Sequence, residues 1–141
     1  MIKNTREVTL LLVEDDDVDA INIERSFTKQ RINNTIIRAH DGVEALELLR
    51  DGTVNLPYII LLDLQMPRMS GLEFLKEIRK DEKLQSSVIF VLTTSDDETD
   101  ILKSYRNNIA GYFVKDETED SFMKIVNLLD GYWKVVHLPK P

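Results

Sequence analysis

The chain has 141 residues, 43% of them hydrophobic and 30% charged, with a formal net charge of -7 and no cysteine. That length and balance suit one globular domain, exclude a disulfide framework or a thiolate metal site, and disfavour sequence-independent attraction to nucleic acid or anionic lipid. The apolar runs are too short to span a bilayer, and the amino end, Met1-Ile2-Lys3-Asn4-Thr5-Arg6-Glu7, lacks the apolar centre and cleavage site of a signal peptide, so a single cytoplasmic domain over residues 1–141 is expected, with no nucleic-acid or membrane partner.

The first apolar run, Leu10-Leu11-Leu12-Val13, reads as a buried strand and ends in Glu14-Asp15-Asp16-Asp17. Ala20, Ile23 and Phe27 then recur at helical spacing, and Asp16, Asp17 and Asp19 read as favourable charges at that helix's start. Ile36-Ile37 is a second strand, followed by a helix through Ala45, Leu46 and Leu49 that opens on the capping pattern Asp41-Gly42-Val43-Glu44. Tyr58 to Leu62 form a third strand of five apolar residues, which delivers Asp63. The pattern Ser70-Gly71-Leu72-Glu73 opens the next helix, whose stripe is Leu72, Leu75 and Ile78. Val88 to Leu92 make a fourth strand leading to Thr93-Thr94-Ser95. A short fourth helix has the stripe Ile101, Leu102 and Tyr105 and stops at Asn107-Asn108. Tyr112-Phe113-Val114 is the fifth strand, ending in Lys115-Asp116, and Phe122, Ile125, Val126, Leu129 and Trp133 mark the fifth helix. Strict alternation with right-handed crossovers implies an open, five-stranded parallel sheet between two helix layers, with its chemistry at the carboxyl ends of the strands.

Those ends bring Glu14 and Asp15, Asp63, Thr93 and Lys115 to one rim. Crowded carboxylates repel one another, and a hard divalent cation relieves them. Mg²⁺, which takes one or two carboxylates alongside phosphate oxygens, suits an open rim, and no calcium-loop pattern follows Asp15. A cation, an ammonium and a hydroxyl around one carboxylate are what a phosphoryl group requires, and Asp63 can then act as a nucleophile that forms an acyl phosphate. Singly, Thr93 would pass for a turn residue and Lys115 for an exposed lysine; their joint placement is the signal. His40 and His137 belong to no such set and read as surface residues. Tyr132-Trp133 reads first as helix packing, with an interface as the alternative.

The motifs LLLVED, LLDLQMPRMSG, VLTTS and YFVK each close a predicted strand, with thirty residues from Asp63 to Thr93 and twenty-two from Thr93 to Lys115. In content, order and spacing they resemble the receiver domains of two-component response regulators, from Val8 to about Leu129. The resemblance implies an α/β, flavodoxin-like, doubly wound (βα)5 three-layer sandwich with a core of about 8–129 and a C-terminal extension over 130–141. It implies that Asp63 accepts a phosphoryl group from a sensor histidine kinase, and that Mg²⁺ is held by Asp15 and Asp63, by Glu14 through water and by the Gln65 backbone carbonyl. Thr93 and Lys115 would bond phosphoryl oxygens. Thr93 and Tyr112 would form the switch that couples the site to the face of the fourth helix, fifth strand and fifth helix. Such a domain is not an enzyme acting on an external substrate; it catalyses its own phosphorylation and dephosphorylation and signals to a downstream protein that the sequence does not identify.

The tail from Gly131 to Pro141, with its aromatic pair and Leu138-Pro139, is similar to the stand-alone regulators that partner bacterial phytochrome histidine kinases, which implies a phytochrome-type kinase and a homodimer. The alternative is a pseudo-receiver, a phosphorylation-independent interaction module, which the intact Asp63, Thr93 and Lys115 oppose. A dehalogenase-like hydrolase would want an aspartate where Gln65 stands. Two departures from the family matter. Asp116 replaces the proline that usually follows the lysine through a cis bond, so the loop is expected either to be rearranged or to carry a non-proline cis bond costing about 2.5–4 kcal/mol. Thr94 is larger than the usual residue and is expected to narrow access to the site, while Gln65 and Ser95 occupy positions where the family tunes phosphoryl lifetime.

Overall fold

Five parallel strands, β1 (Thr9–Val13), β2 (Ile36–Ala39), β3 (Tyr58–Leu62), β4 (Val88–Thr93) and β5 (Gly111–Val114), form one sheet in the order β2-β1-β3-β4-β5 in the computed structural model. The structure describes residues 7–141, so the reading of residues 1–6 lies outside the described residues. Helices α1 (Asp17–Lys29), α2 (Gly42–Arg50), α3 (Gly71–Lys80), α4 (Glu98–Arg106) and α5 (Glu119–Val135) alternate with the strands.

Period-two alternation explains the layering, because successive residues of a strand face opposite sides. Leu11, Val13, Ile60, Leu62, Ile89 and Val91 pack with Ala45, Leu49, Phe74, Leu75 and Ile78 of α2 and α3. Leu10, Leu12, Ile59, Leu61, Phe90 and Leu92 pack on the other side with Ile23, Phe27, Phe122, Val126, Leu129 and Trp133 of α1 and α5. Both faces of β1, β3 and β4 are covered, which is why those strands read as unbroken apolar runs. Among the described residues no helix is long and apolar enough to cross a membrane.

Two expectations change in the structure, the capping box of α2 and the inward stripe of α4. The capping box of α3 is complete, with Ser70 and Glu73 bonding each other's backbone amides. At α2 only half of one forms: Asp41 accepts the Glu44 N–H, but Glu44 turns to the His40 N–H at 2.7 Å and His40 Nδ1 at 3.0 Å. In α4, Leu102 and Tyr105 are exposed and Ser104 is the buried residue, because the expected stripe lies off the inward face. α5 runs past Leu129 to Val135; Trp133 packs on Phe27 with ring centroids 6.0 Å apart, and Tyr132 meets Phe90 edge-on at 5.0 Å. Finally, the cis bond among the described residues is Leu56–Pro57, so Lys115–Asp116 is trans, and the loop is rearranged, with Glu117 in the left-handed region at φ 54°.

Candidate functional site

In open α/β sheets the crevice lies where strand order reverses, here between β1 and β3. β1 delivers Glu14 and Asp15 there and β3 delivers Asp63, whose N–H bonds the Val13 carbonyl at 3.0 Å. One strand further, Thr93 ends β4, and its carbonyl accepts the Lys115 N–H at 2.7 Å. Of the sequence-predicted residues, Asp15, Asp63, Gln65 and Lys115 line one open cleft of about 580 Å³ together with Asp19 and Thr94 among others, while Glu14 and Thr93 are buried and do not line it.

The Asp63 carboxylate, 6% exposed, is held from two sides: Oδ1 accepts the Gln65 N–H at 3.1 Å, and Oδ2 lies 3.2 Å from Lys115 Nζ. The Lys115 side chain is 3% exposed and its ammonium also meets Glu14 Oε1 at 2.9 Å and Asp19 Oδ2 at 2.8 Å. Burial alone would lower the Lys115 pKa, but the Asp19 hydrogen bond and the Glu14 and Asp63 charges outweigh it and raise it. Glu14 is pushed up to about 8, first by burial and then by the Asp63 charge, against the pull of Lys115. One ammonium does not neutralise three buried carboxylates, and the shortfall appears as Glu14's affinity for a proton. Carboxylate oxygens of Glu14, Asp15 and Asp63 lie within 4.8 Å of one another, an all-oxygen set that fits a hard divalent cation.

Thr93 is fully buried and its Oγ1 has no hydrogen-bond partner, an orphan hydroxyl at the strand end next to Asp63. Tyr112 donates from its hydroxyl to the Ser95 carbonyl at 2.8 Å, tying β5 to the loop after Thr93. Thr94 lies on the rim and donates to Gln65 Oε1 at 3.1 Å, bridging the loops after β3 and β4. His40 and His137 stand apart on the surface.

Asp19 was missed as part of this site. It reads as a solvated charge beside Asp16 and Asp17, and those two behave so: Asp16 caps α1 and Asp17 is exposed, paired with Arg38. Asp19 is 4% exposed and bonded to Lys115. Helical phase was the available signal, since positions 19, 20, 23, 26 and 27 make one buried stripe. Glu117, also unforeseen, lines the same cleft. Arg68 supplies a further support, its guanidinium gripping Asp41 through two bonds of 2.7 and 3.1 Å and tying the loop after Asp63 to the start of α2.

Fold and site together define a flavodoxin-like α/β domain with an acidic, lysine-bearing centre at its switch point. The response regulator receiver domain model matches residues 10–127, and the chain belongs to that family, the receiver domains of two-component systems. It is 34% identical over 127 residues to the probable methanogenesis regulatory protein FilR2 of Methanothrix harundinacea, covering 88% of this chain and 82% of that one. It is 31% identical over 135 residues to response regulator Rcp1 of Synechocystis sp., covering 92% of each, and the Mn(2+)-bound form of Rcp1 superposes with a TM-score of 0.83 over 94% of this chain. The phosphorylated cyanobacterial phytochrome response regulator RcpA superposes with a TM-score of 0.86 at 30% identity, covering 96% of this chain and all of that one.

Proposed function

We propose that this chain is a phosphorylation switch: Asp63 accepts a phosphoryl group from the histidine of a sensor kinase in a Mg²⁺-dependent reaction, and the acyl phosphate changes which proteins the domain binds. The observation that carries the reading is the environment of Asp63. Its carboxylate is buried and oriented by the Gln65 amide, has the Lys115 ammonium in reach, and has the unpartnered Thr93 hydroxyl at the neighbouring strand end. A phosphoryl oxygen would give that hydroxyl an acceptor, and another would take Lys115.

In the transfer, an Asp63 oxygen attacks phosphorus as the bond from phosphorus to the donor histidine nitrogen breaks. Glu14, Asp15, Asp63 and the Gln65 carbonyl would hold Mg²⁺, which supplies charge neutralisation for the transferring group. Thr93 and Tyr112 would carry the change outward, because both are bonded through the segment Thr93–Ser95. The domain turns over no external substrate. The phytochrome relatives support a phytochrome-type kinase as the donor.

A second copy of this chain is the partner we assign to the α4, β5 and α5 face. Exposed apolar residues gather on these elements: Leu102 and Tyr105, Val114, and Leu128 and Val135; among the described residues the other large exposed apolar side chains are Val18 and Ile21 of α1 and Val136 just past α5. Leu128 and Val135 are two helical turns apart, on one stripe with Gly131.

Intact mass after incubation with acetyl phosphate and Mg²⁺, on the wild type and Asp63→Asn, tests the central reading. A phosphoryl increment in the wild type alone, lost without Mg²⁺, is expected. An increment in both variants would move the acceptor elsewhere, and none in either would favour a phosphorylation-independent module.

A further inference from the structure

An ammonium has three donors, and those of Lys115 are already committed. Its nearest acceptors are Asp19 Oδ2 at 2.8 Å, Glu14 Oε1 at 2.9 Å and Asp63 Oδ2 at 3.2 Å, so the shortest contact goes to the residue furthest from the chemistry in role. Glu14 and Asp63 belong to the acidic set whose oxygens converge within 4.8 Å, where a divalent cation would take up their charge; Asp19 is not in that set. It therefore stays a competing anion for Lys115 when the others are satisfied. Its side chain is 5% exposed, so water and salt screen it far less than they screen Asp17 at 77%. Its place is fixed: the Asp19 N–H bonds the Asp16 cap at 3.0 Å, and Ala20 and Ile23 anchor the same face of α1 in the core.

We propose that Asp19 is a positioning residue that holds Lys115 in the unphosphorylated protein and so restrains phosphoryl acceptance by Asp63. This rests on the reading of Asp63 as the acceptor. Before transfer, Lys115 must shift a donor from a carboxylate to the incoming phosphoryl group, which brings about -1.5 to -2 charges. Breaking the Asp19 contact is part of that barrier. Once the phosphoryl group is in place the exchange is done, so Asp19 acts on acceptance far more than on hydrolysis.

Time courses of intact mass, with acetyl phosphate as donor and Mg²⁺ present, test the inference. Acetyl phosphate transfers its phosphoryl group as the phosphorus–oxygen bond to acetate breaks and acetate leaves. Asp19→Asn keeps the shape and removes the charge, and should accept phosphoryl about three- to tenfold faster than wild type, a range set by losing one charge contact in a partly buried site. Asp19→Glu should return the rate toward wild type. The gain should vanish in a Lys115→Gln background, since it works through the ammonium. An unchanged or slower Asp19→Asn would overturn the proposal, as would an equal gain with and without Lys115, which would mean simple repulsion of the donor. A wild type that accepts no phosphoryl group overturns the acceptor reading and this one with it; a wild type that accepts while Asp19→Asn fails to accelerate overturns this one alone. Unfolding curves establish that the variants are folded, and Asp19→Ser serves the same comparison if Asp19→Asn is not.

Discussion

Glu14 shows what a single residue of this site does to the whole protein. Its carboxyl titrates near 4.5 when exposed and is pushed up to about 8 here by burial and by Asp63. The folded chain thus holds this proton more tightly than the unfolded chain. The stabilisation is fully present below about pH 4.5 and is lost as pH rises through about 8, at up to about 1.4 kcal/mol per pH unit within that window. Urea unfolding without metal should show a midpoint that falls from pH 5.5 to 8.5 by an amount Glu14→Gln removes. Saturating Mg²⁺ should flatten the slope, because a cation in the acidic set replaces the proton, and calorimetry near pH 7 should record proton release on binding. A midpoint independent of pH in this range would mean that Lys115 alone balances the cluster. Asp63, Thr93 and Lys115 were legible in the sequence because each directly ends a strand, where the fold must place chemistry. Asp19 was not, because an acidic run invites reading by adjacency, whereas its burial is set by helical phase two residues further on.

At the scale of elements, the cleft depends on how closely α3 approaches the end of β3. The Gly71 N–H bonds the Leu64 carbonyl at 2.9 Å, and a Cβ on Gly71 would stand 2.6 Å from both the Asp63 carbonyl and the Leu64 Cα. Backbone does not yield as a flexible side chain does, so Gly71→Ala must push the helix away from the segment that orients Asp63. We expect a loss of about 2 kcal/mol or more in chemical unfolding, and slower phosphoryl acceptance than in wild type. Gly131 is the control: it lies inside α5 with nothing within 4 Å of its Cβ position, so Gly131→Ala should stabilise by about 0.5–1 kcal/mol. Equal effects at the two positions would show that helix propensity, not close approach, governs Gly71. The element order could be read from period, and the starts of α2 and α3 from their caps. The tight approach could not, since a glycine after a cap signals a helix start whether or not backbone lies against it. α4 was misread for a related reason: Leu102 and Tyr105 have helical spacing, but nothing in spacing tells which side of a short polar helix faces in.

For the whole molecule, the end of α5 has to be credited to folding before it is credited to assembly. A tail beginning near residue 130 suggests a detachable extension, yet Trp133 lies in the core against Phe27 of α1, and Tyr132 lies edge-on to Phe90 of β4. Cutting the chain after Leu129 removes both rings, and the loss should resemble a large-to-small core substitution of about 3–5 kcal/mol. A chain ending at Val136 keeps them and gives up only the segment from His137, of which Leu138 packs partly on the core, so its cost should be far smaller. Loss of self-association in the shorter chain would therefore reflect damage to α5. Val135 separates the two roles. At 79% exposure its side chain contributes nothing to the core, so Val135→Glu should leave the unfolding midpoint within about 0.5 kcal/mol of wild type. In sedimentation velocity the same variant should shift a dimer toward monomer, because a charge placed in an apolar seam is buried without a partner when two copies meet. If the variant sediments as the wild type does, the stripe of Leu128, Gly131 and Val135 is not where two copies of this chain meet, and the partner for that exposed face must be a different protein.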